Sequence, residues 1–283
     1  MKVGILGSGL VGSALGARLL ASGHHVTGTT TRSERIDVIG DCFSEVRVLR
    51  GSDRASVAGL VDGCDAVIVT VGPSAAQAMT REDRAASYHD VLVATAESVC
   101  AAASTAQLVM LSALTVYGDA ADADGLVTES SSLTTSDDPS PSMFQAAESV
   151  YRDTAPDRSC IFRCADIWGA HDPPIADKVR FAHDILKGSV PFQAEALFYR
   201  VHTDDVVNAV LHAVDRRLVG TFNLASSEVP LTNATLFDAI SSDLGYAPLE
   251  YRGEIRGPSV PVSVAALDAA GFRCAPADSH GPQ

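Results

Sequence analysis

The feature that most constrains this chain is a glycine-rich turn set between a strand and a helix. "KVGIL" gives a short apolar run through Val3, Ile5 and Leu6, and it leads straight into Gly7-Ser8-Gly9-Leu10-Val11-Gly12. Helical spacing follows in Leu10, Val11, Ala14, Leu15, Arg18 and Leu19; Gly23 stands where a helix closes, and Val26 begins a second strand. Each glycine has a physical reason. Gly7 permits the tight turn, Gly9 lets backbone approach a pyrophosphate, and Gly12 lets helix pack close to strand. The helix N-terminus then offers free N–H groups and a positive dipole end to phosphate. Gly7, Ser8, Gly9, Leu10, Val11 and Gly12 are therefore expected to cradle a dinucleotide.

The same rhythm continues along the chain. "EVRVLRG" reads as a third strand and "ASVAGLVDG" as a short helix. "CDAVIVTVG" is nearly all apolar, as a central parallel strand covered on both faces would be. Val71 and Gly72, at its end, join the expected cofactor-binding residues. A long helix spans about Ala85 to Ala103, with Tyr88, Leu92, Thr95, Val99 and Ala102 on one stripe, and "AQLVMLSALTVYG" is the fifth strand with its loop. Ala120 to Ser142 is polar and reads as an exposed loop. A helix at about Met143–Thr154 and a strand "CIFRCADIWG" follow, then a helix in "AHDPPIADKVRFAHDILKG". "FYRVHTDDVVNAVLHAVDR" gives a short strand and a helix capped by Thr203 or Asp204, and "GTFNLAS" one more strand. The expected fold class is α/β, a doubly wound parallel sheet (Rossmann fold) with a smaller C-terminal substrate lobe. Residues 1–168, rejoined by about 200–226, form the dinucleotide-binding domain; 169–199 and 227–283 form the substrate lobe.

The end of the second strand selects the cofactor. NAD-binding chains place a carboxylate there for the ribose 2′-OH. This chain has Thr29-Thr30-Thr31-Arg32-Ser33, with no carboxylate before Glu34. Thr31, Arg32 and Ser33 suit a 2′-phosphate instead, so NADP(H) is expected over NAD(H).

Composition narrows the partners. With 21 basic against 35 acidic residues, the net charge of −14 repels phosphate backbones and anionic lipid, which argues against nucleic acid and membrane partners. No apolar run approaches the ~20 residues of a spanning helix. An apolar strand starting at residue 2 leaves no room for a signal peptide, which makes the cytoplasm the expected location. The six cysteines (Cys42, Cys64, Cys100, Cys160, Cys164 and Cys274) are scattered among apolar neighbours without metal-ligand spacing, and read as free thiols with no metal site.

Taken with the opening motif, "DAVIVTVG", "LSALTVYGD", "FRCADIWG", "VHTDDVVNAV" and "TFNLAS" come in an order that resembles the extended short-chain dehydrogenase/reductase superfamily, in its NAD-dependent epimerase/dehydratase group. The G-x-G-x-x-G here is like that of the atypical branch, where most members read G-x-x-G-x-x-G. The resemblance implies an oxidoreductase or epimerase/dehydratase working on a small molecule. It also implies a relay of Ser or Thr, Tyr and Lys, and here the chain departs. Counting back from Val116 puts Ala113 at the hydroxyl position, with Ser112 one residue earlier and on the other strand face. Anchoring the following helix on Glu148 puts Phe144 at the Lys position and Ser140 at the Tyr position. No Tyr-x-x-x-Lys occurs in the chain.

Substitute proton carriers are then sought beyond the carboxyl ends of the strands. Tyr117, in the loop after the fifth strand, and Tyr88 and His89, on the long helix, are the catalytic candidates. His171 with Asp172, and His202, are further candidates for the pocket, while Arg200 could clamp a substrate carboxylate or phosphate. The missing relay leaves two alternatives open: a non-redox isomerase, lyase or cyclase on the same scaffold, and a non-catalytic NADP(H) sensor. A homodimer burying the helix from Ala85 to Ala103 is compatible with the pattern.

Overall fold

A computed structural model describes residues 1–73, 80–119, 125–170 and 172–275. Five strands and the helices between them follow the alternation in the sequence: β1 (Lys2–Leu6), α1 (Leu10–Ala21), β2 (His25–Thr30), α2 (Ile36–Ile39), β3 (Glu45–Val48), α3 (Arg54–Val61), β4 (Ala66–Val69), α4 (Arg81–Tyr88), α5 (Ala94–Ala102) and β5 (Gln107–Ala113). Then come α6 (Pro139–Thr154), β6 (Ser159–Cys164), β7 (Asp166–Trp168), α7 (Ile175–Asp184), β8 (Ser189–Phe192), β9 (Arg200–His202), α8 (Thr203–Arg216), β10 (Gly220–Leu224), α9 (Asn233–Asp243), β11 (Glu250–Ile255) and α10 (Ala265–Ala269).

Seven strands form one sheet of order β10-β6-β5-β4-β1-β2-β3. Pairing is parallel from β3 through β2, β1 and β4 to β5. β4 is buried at every position and β1 at four of five, as strands covered on both faces must be. This is the doubly wound α/β architecture, with the order reversing at β1/β4, where such sheets leave a crevice for ligand.

By internal contacts the chain divides into two units. The first holds Met1–Ala113, Thr135–Arg163 and Thr203–Phe222. Its largest apolar cluster gathers Leu6, Val67, Val69, Leu92, Val99, Leu108, Tyr151 and Ile161. The second holds Leu114–Thr134, Cys164–His202 and Asn223–Gln283. It contains two parallel strand pairs, β7 with β9 and β8 with β11, and a small core of Val179, Ala182, Val190, Phe237 and Leu249.

Two helices differ from expectation. The helix placed at Ala85–Ala103 begins at Arg81, where Thr80 and Asp83 form a capping box, and it passes through a π-helical turn at His89–Val93. The helix placed at Met143 begins at Pro139. Asp138 caps it by accepting from Ser140 N at 2.8 Å, and proline fits the first helical position because its missing N–H has no partner to lose.

Candidate functional site

The turn after β1 is built from several directions at once. Gly7 N donates to Thr29 Oγ1 at 3.1 Å and Ser8 N to Thr29 O at 3.1 Å, tying the turn to the end of β2. Thr70 Oγ1 donates to Gly7 O at 2.5 Å, tying it to the end of β4. Gly7 has φ of +100°, and a Cβ there would also lie 2.9 Å from Val71 N. At Gly12 a Cβ would stand 1.9 Å from Gly7 O, so this glycine sets how closely α1 meets the turn. Gly9 is different: an added Cβ would meet nothing within 4 Å. Among the described residues nothing stands in front of it, and the same holds at Gly72.

The helix that starts after Gly9 also leaves its first donors without a cap. α1 has Gly9 as its N-cap, no capping side chain, and no acidic residue in its first turn. By contrast α3, α4, α6 and α9 are capped by Asp53, Thr80, Asp138 and Thr232. Ser8 Oγ is buried and has no hydrogen-bond partner among the described residues. Free first-turn amides, a spare hydroxyl and a glycine opening together fit a phosphate group. Leu10 at the rim is 41% exposed, and Val11 is buried behind it.

Beyond β2, Thr30 Oγ1 accepts from Arg32 N at 3.2 Å and so fixes a hook in the chain. Thr31, Arg32 and Ser33 are all exposed on this hook. The Arg32 guanidinium makes no ion pair among the described residues, which leaves its charge for an anion outside the chain.

The positions that the resemblance assigns to the relay lie as follows. Ser112 does not face the crevice: its hydroxyl donates to Glu148 Oε1 of α6 at 2.6 Å. Glu148 is fully buried and also takes bonds from Arg163 Nη2 at 2.7 Å and Arg152 Nη1 at 2.8 Å. Ala113, Ser140 and Phe144 are all half-buried, and Phe144 packs against the large apolar cluster.

Of the proposed proton carriers, Tyr88 ends α4, half-buried against that same cluster, and His89 is exposed where the π-turn begins. Tyr117 is fully buried, and its hydroxyl donates to Asn223 Oδ1 at 2.6 Å. In the second unit Arg200 is bound to Asp172 at 2.8 Å and lies 3.6 Å from Asp166. Its guanidinium also stacks on Trp168 at 4.8 Å, so its charge is already engaged. Desolvation holds the Asp166 carboxyl above its ordinary range. His202 meets the Trp168 ring edge-on at 4.6 Å. His171 lies outside the described residues. Among those residues no group of three or more His, Cys, Asp or Glu could hold a metal, and no helix is long and apolar enough to cross a membrane.

The profile of the NAD dependent epimerase/dehydratase family matches residues 5–225. The chain belongs to this family. The match begins inside β1 and ends just past β10, so it takes in the glycine turn and all of the seven-stranded sheet except the first residues of β1. No curated protein matches the chain significantly. Solved structures share the fold at low identity. A short-chain dehydrogenase/reductase superfamily protein from Agrobacterium tumefaciens with bound NAD is 19% identical, with a TM-score of 0.77 over 99% of this chain and 94% of that one. UDP-glucose 4-epimerase from Thermotoga maritima with UDP-glucose is 15% identical, with a TM-score of 0.76 over 99% and 96%. A dTDP-glucose 4,6-dehydratase from Streptomyces venezuelae with NAD is 20% identical, with a TM-score of 0.74 over 99% and 94%.

Proposed function

We propose that this family member is an NADP(H)-binding enzyme of short-chain dehydrogenase/reductase type. It acts on a small molecule as an oxidoreductase or epimerase/dehydratase, and does so without the Ser-Tyr-Lys relay. The observation that carries the reading is the cradle: an uncapped helix start, an orphaned Ser8 hydroxyl and open space at Gly9. Gly7 through Gly12 would hold the pyrophosphate, and Val71 and Gly72 would flank it. The cofactor would supply hydride chemistry; the chain's part is to bind it, orient it and place a proton carrier near the substrate. The NAD bound to the Agrobacterium and Streptomyces proteins supports a nicotinamide cofactor, and the sugar nucleotide on the Thermotoga enzyme supports a small-molecule substrate. The preference for the 2′-phosphorylated form rests on Arg32.

The test is a titration of NADPH and NADH against wild type and Arg32→Ala. NADPH is expected to bind more tightly, and the substitution to cost it about 1.5–3 kcal/mol, or about 10–150-fold, with little effect on NADH. Equal curves for the two cofactors end the claim of NADP preference.

A second reading draws on Ala113, Ser140 and Phe144 at the relay positions and on the engaged hydroxyl of Tyr117. It makes the chain a non-redox isomerase, lyase or cyclase, or a nucleotide sensor. Nucleotide binding without hydride transfer to any carbonyl substrate would favour it.

A further inference from the structure

In the second unit α7 buries one face and leaves the other uncovered. Val179 and Ala182 enter the small core, and Ile175 packs against it. On the outer side Phe181 is 54% exposed, and Ile185 and Leu186, in the turn that follows, are 61% and 42% exposed. Ile185 N still donates to Phe181 O at 2.9 Å, which carries the helical spacing one residue on and sets Ile185 beside Phe181. Those two form one edge of the outer stripe. Asp177, Arg180 and Asp184, all exposed, form its other edge at the same spacing. Among the described residues no large exposed apolar side chain lies between Val48 and Phe181. The helical stretch from Ala85 to Ala103, which the sequence pattern leaves open to a mate, therefore offers no such contact.

We propose that the outer face of α7 docks on the same face of a second copy of the chain, the two helices antiparallel about a two-fold axis near Ala182. The order of charges selects this occupant. Asp177, Arg180, Asp184 and Lys187 alternate in sign along the chain. Reversed against itself about position 182, that order sets Arg180 opposite Asp184 and Asp177 opposite the turn that carries Lys187. Every such contact joins unlike charges and occurs twice, as an isologous interface requires. The same axis brings charged edge to charged edge and apolar edge to apolar edge, so Phe181 falls between Phe181 and Ile185 of the second copy. A parallel pairing in register would set like charges side by side. Bonds already on this face leave room for the contact. Arg180 Nη1 pairs with Asp177 Oδ1 at 2.5 Å, and Asp184 Oδ1 accepts from the Tyr246 hydroxyl at 3.1 Å, so a second guanidinium nitrogen and a second carboxylate oxygen face outward. The apolar edge supplies affinity, and the exposed charges set the register. One helix pair covers little beside the ~1,200–2,000 Å² of stable complexes, so the dimer is weak, with Kd on the order of 10–100 µM.

Sedimentation equilibrium of the whole chain from about 1 µM to about 500 µM reads the association, and wild type is expected to pass from monomer to dimer over that range. Phe181→Ser, Arg180→Glu and Asp184→Arg should each raise Kd at least about tenfold, with thermal unfolding close to wild type because the three side chains are exposed. An equimolar mixture of the Arg180→Glu and Asp184→Arg chains is the sharper test. Each variant alone meets like charge at positions 180 and 184, whereas a mixed pair meets unlike charge at both, so the mixture should form a heterodimer near wild-type affinity. A wild type that stays monomeric at about 500 µM overturns the proposal and leaves the stripe to a partner of another kind. A dimer untouched by the three substitutions overturns it as well, by putting the contact elsewhere on the chain. Single variants that dissociate and a mixture that fails to associate overturn the antiparallel pairing.

Discussion

Gly9→Val separates a ligand cradle from a structural turn. Gly9 has φ −82° and ψ −153°, extended backbone that any L-residue adopts, and a Cβ there meets nothing within 4 Å. The cost to folding is the loss of a good N-cap residue, about 1 kcal/mol or less. The cost to binding is far larger, because isopropyl would fill the space where phosphate meets the first-turn amides. Losing two charge-assisted hydrogen bonds at about 1.5–3 kcal/mol each weakens the dinucleotide by about 3–6 kcal/mol, on the order of 10²–10⁴ in Kd. Gly12→Ala is the contrast: its Cβ would stand 1.9 Å from Gly7 O, so α1 must shift, and stability falls together with binding, by about 1–3 kcal/mol. Calorimetry with NADPH and thermal unfolding of the ligand-free proteins read the two effects apart. Wild-type affinity in Gly9→Val would refute the cradle. A melting loss in Gly9→Val as large as in Gly12→Ala would refute the claim that the space is open.

Tyr117→Phe strips a hydrogen bond from two fully buried residues and leaves Asn223 Oδ1 short of a donor, which should cost about 1–3 kcal/mol in urea unfolding and little in turnover beyond that. Turnover should instead fall about 10²–10⁴-fold on Tyr88→Phe or on His89→Gln, whichever carries the proton, while Ser140→Ala leaves the rate unchanged. If neither change mattered in an enzyme assay, the sensor reading would take precedence. Glu148→Gln should destabilise by about 3–5 kcal/mol, because two arginines then lose their carboxylate. Arg163→Met in that background should recover part of the loss, and an additive double-mutant cycle would contradict a coupled network.

What could be read from the sequence was what local spacing encodes. The glycine turn, the closing Gly23 (φ +80°) and the stripe through Leu92, Thr95 and Val99 depend on neighbours a few residues away, and the structure has them in those roles. Two helix starts were missed because polar and proline-rich stretches hide caps: Thr80 with Asp83, and Asp138 before Pro139. The π-turn leaves no mark in a hydrophobic stripe. The ties that matter most at the site are tertiary. Glu148 served only to align the helix, and nothing in its sequence context names Ser112 and Arg163 as partners across the β5–α6–β6 unit. Likewise the Tyr117 hydroxyl finds Asn223 across 106 positions, so its accessibility could not be judged from the VYG segment alone.

The Glu148 junction has a consequence for how such a chain can change over generations. One carboxylate joins β5, α6 and β6 at the helix midpoint, while the turns ahead of it are fastened separately, by the Asp138 cap, by the Arg84–Asp138 ion pair and by Met143 and Phe144 on the large apolar cluster. The bonds at Glu148 do not involve the side chains at 140 and 144. Ser140 and Phe144 can therefore stand where a relay would, with the sheet beneath them undisturbed. A fold fastened in this way can change side chains at the head of α6 while β5 and β6 stay joined through Glu148.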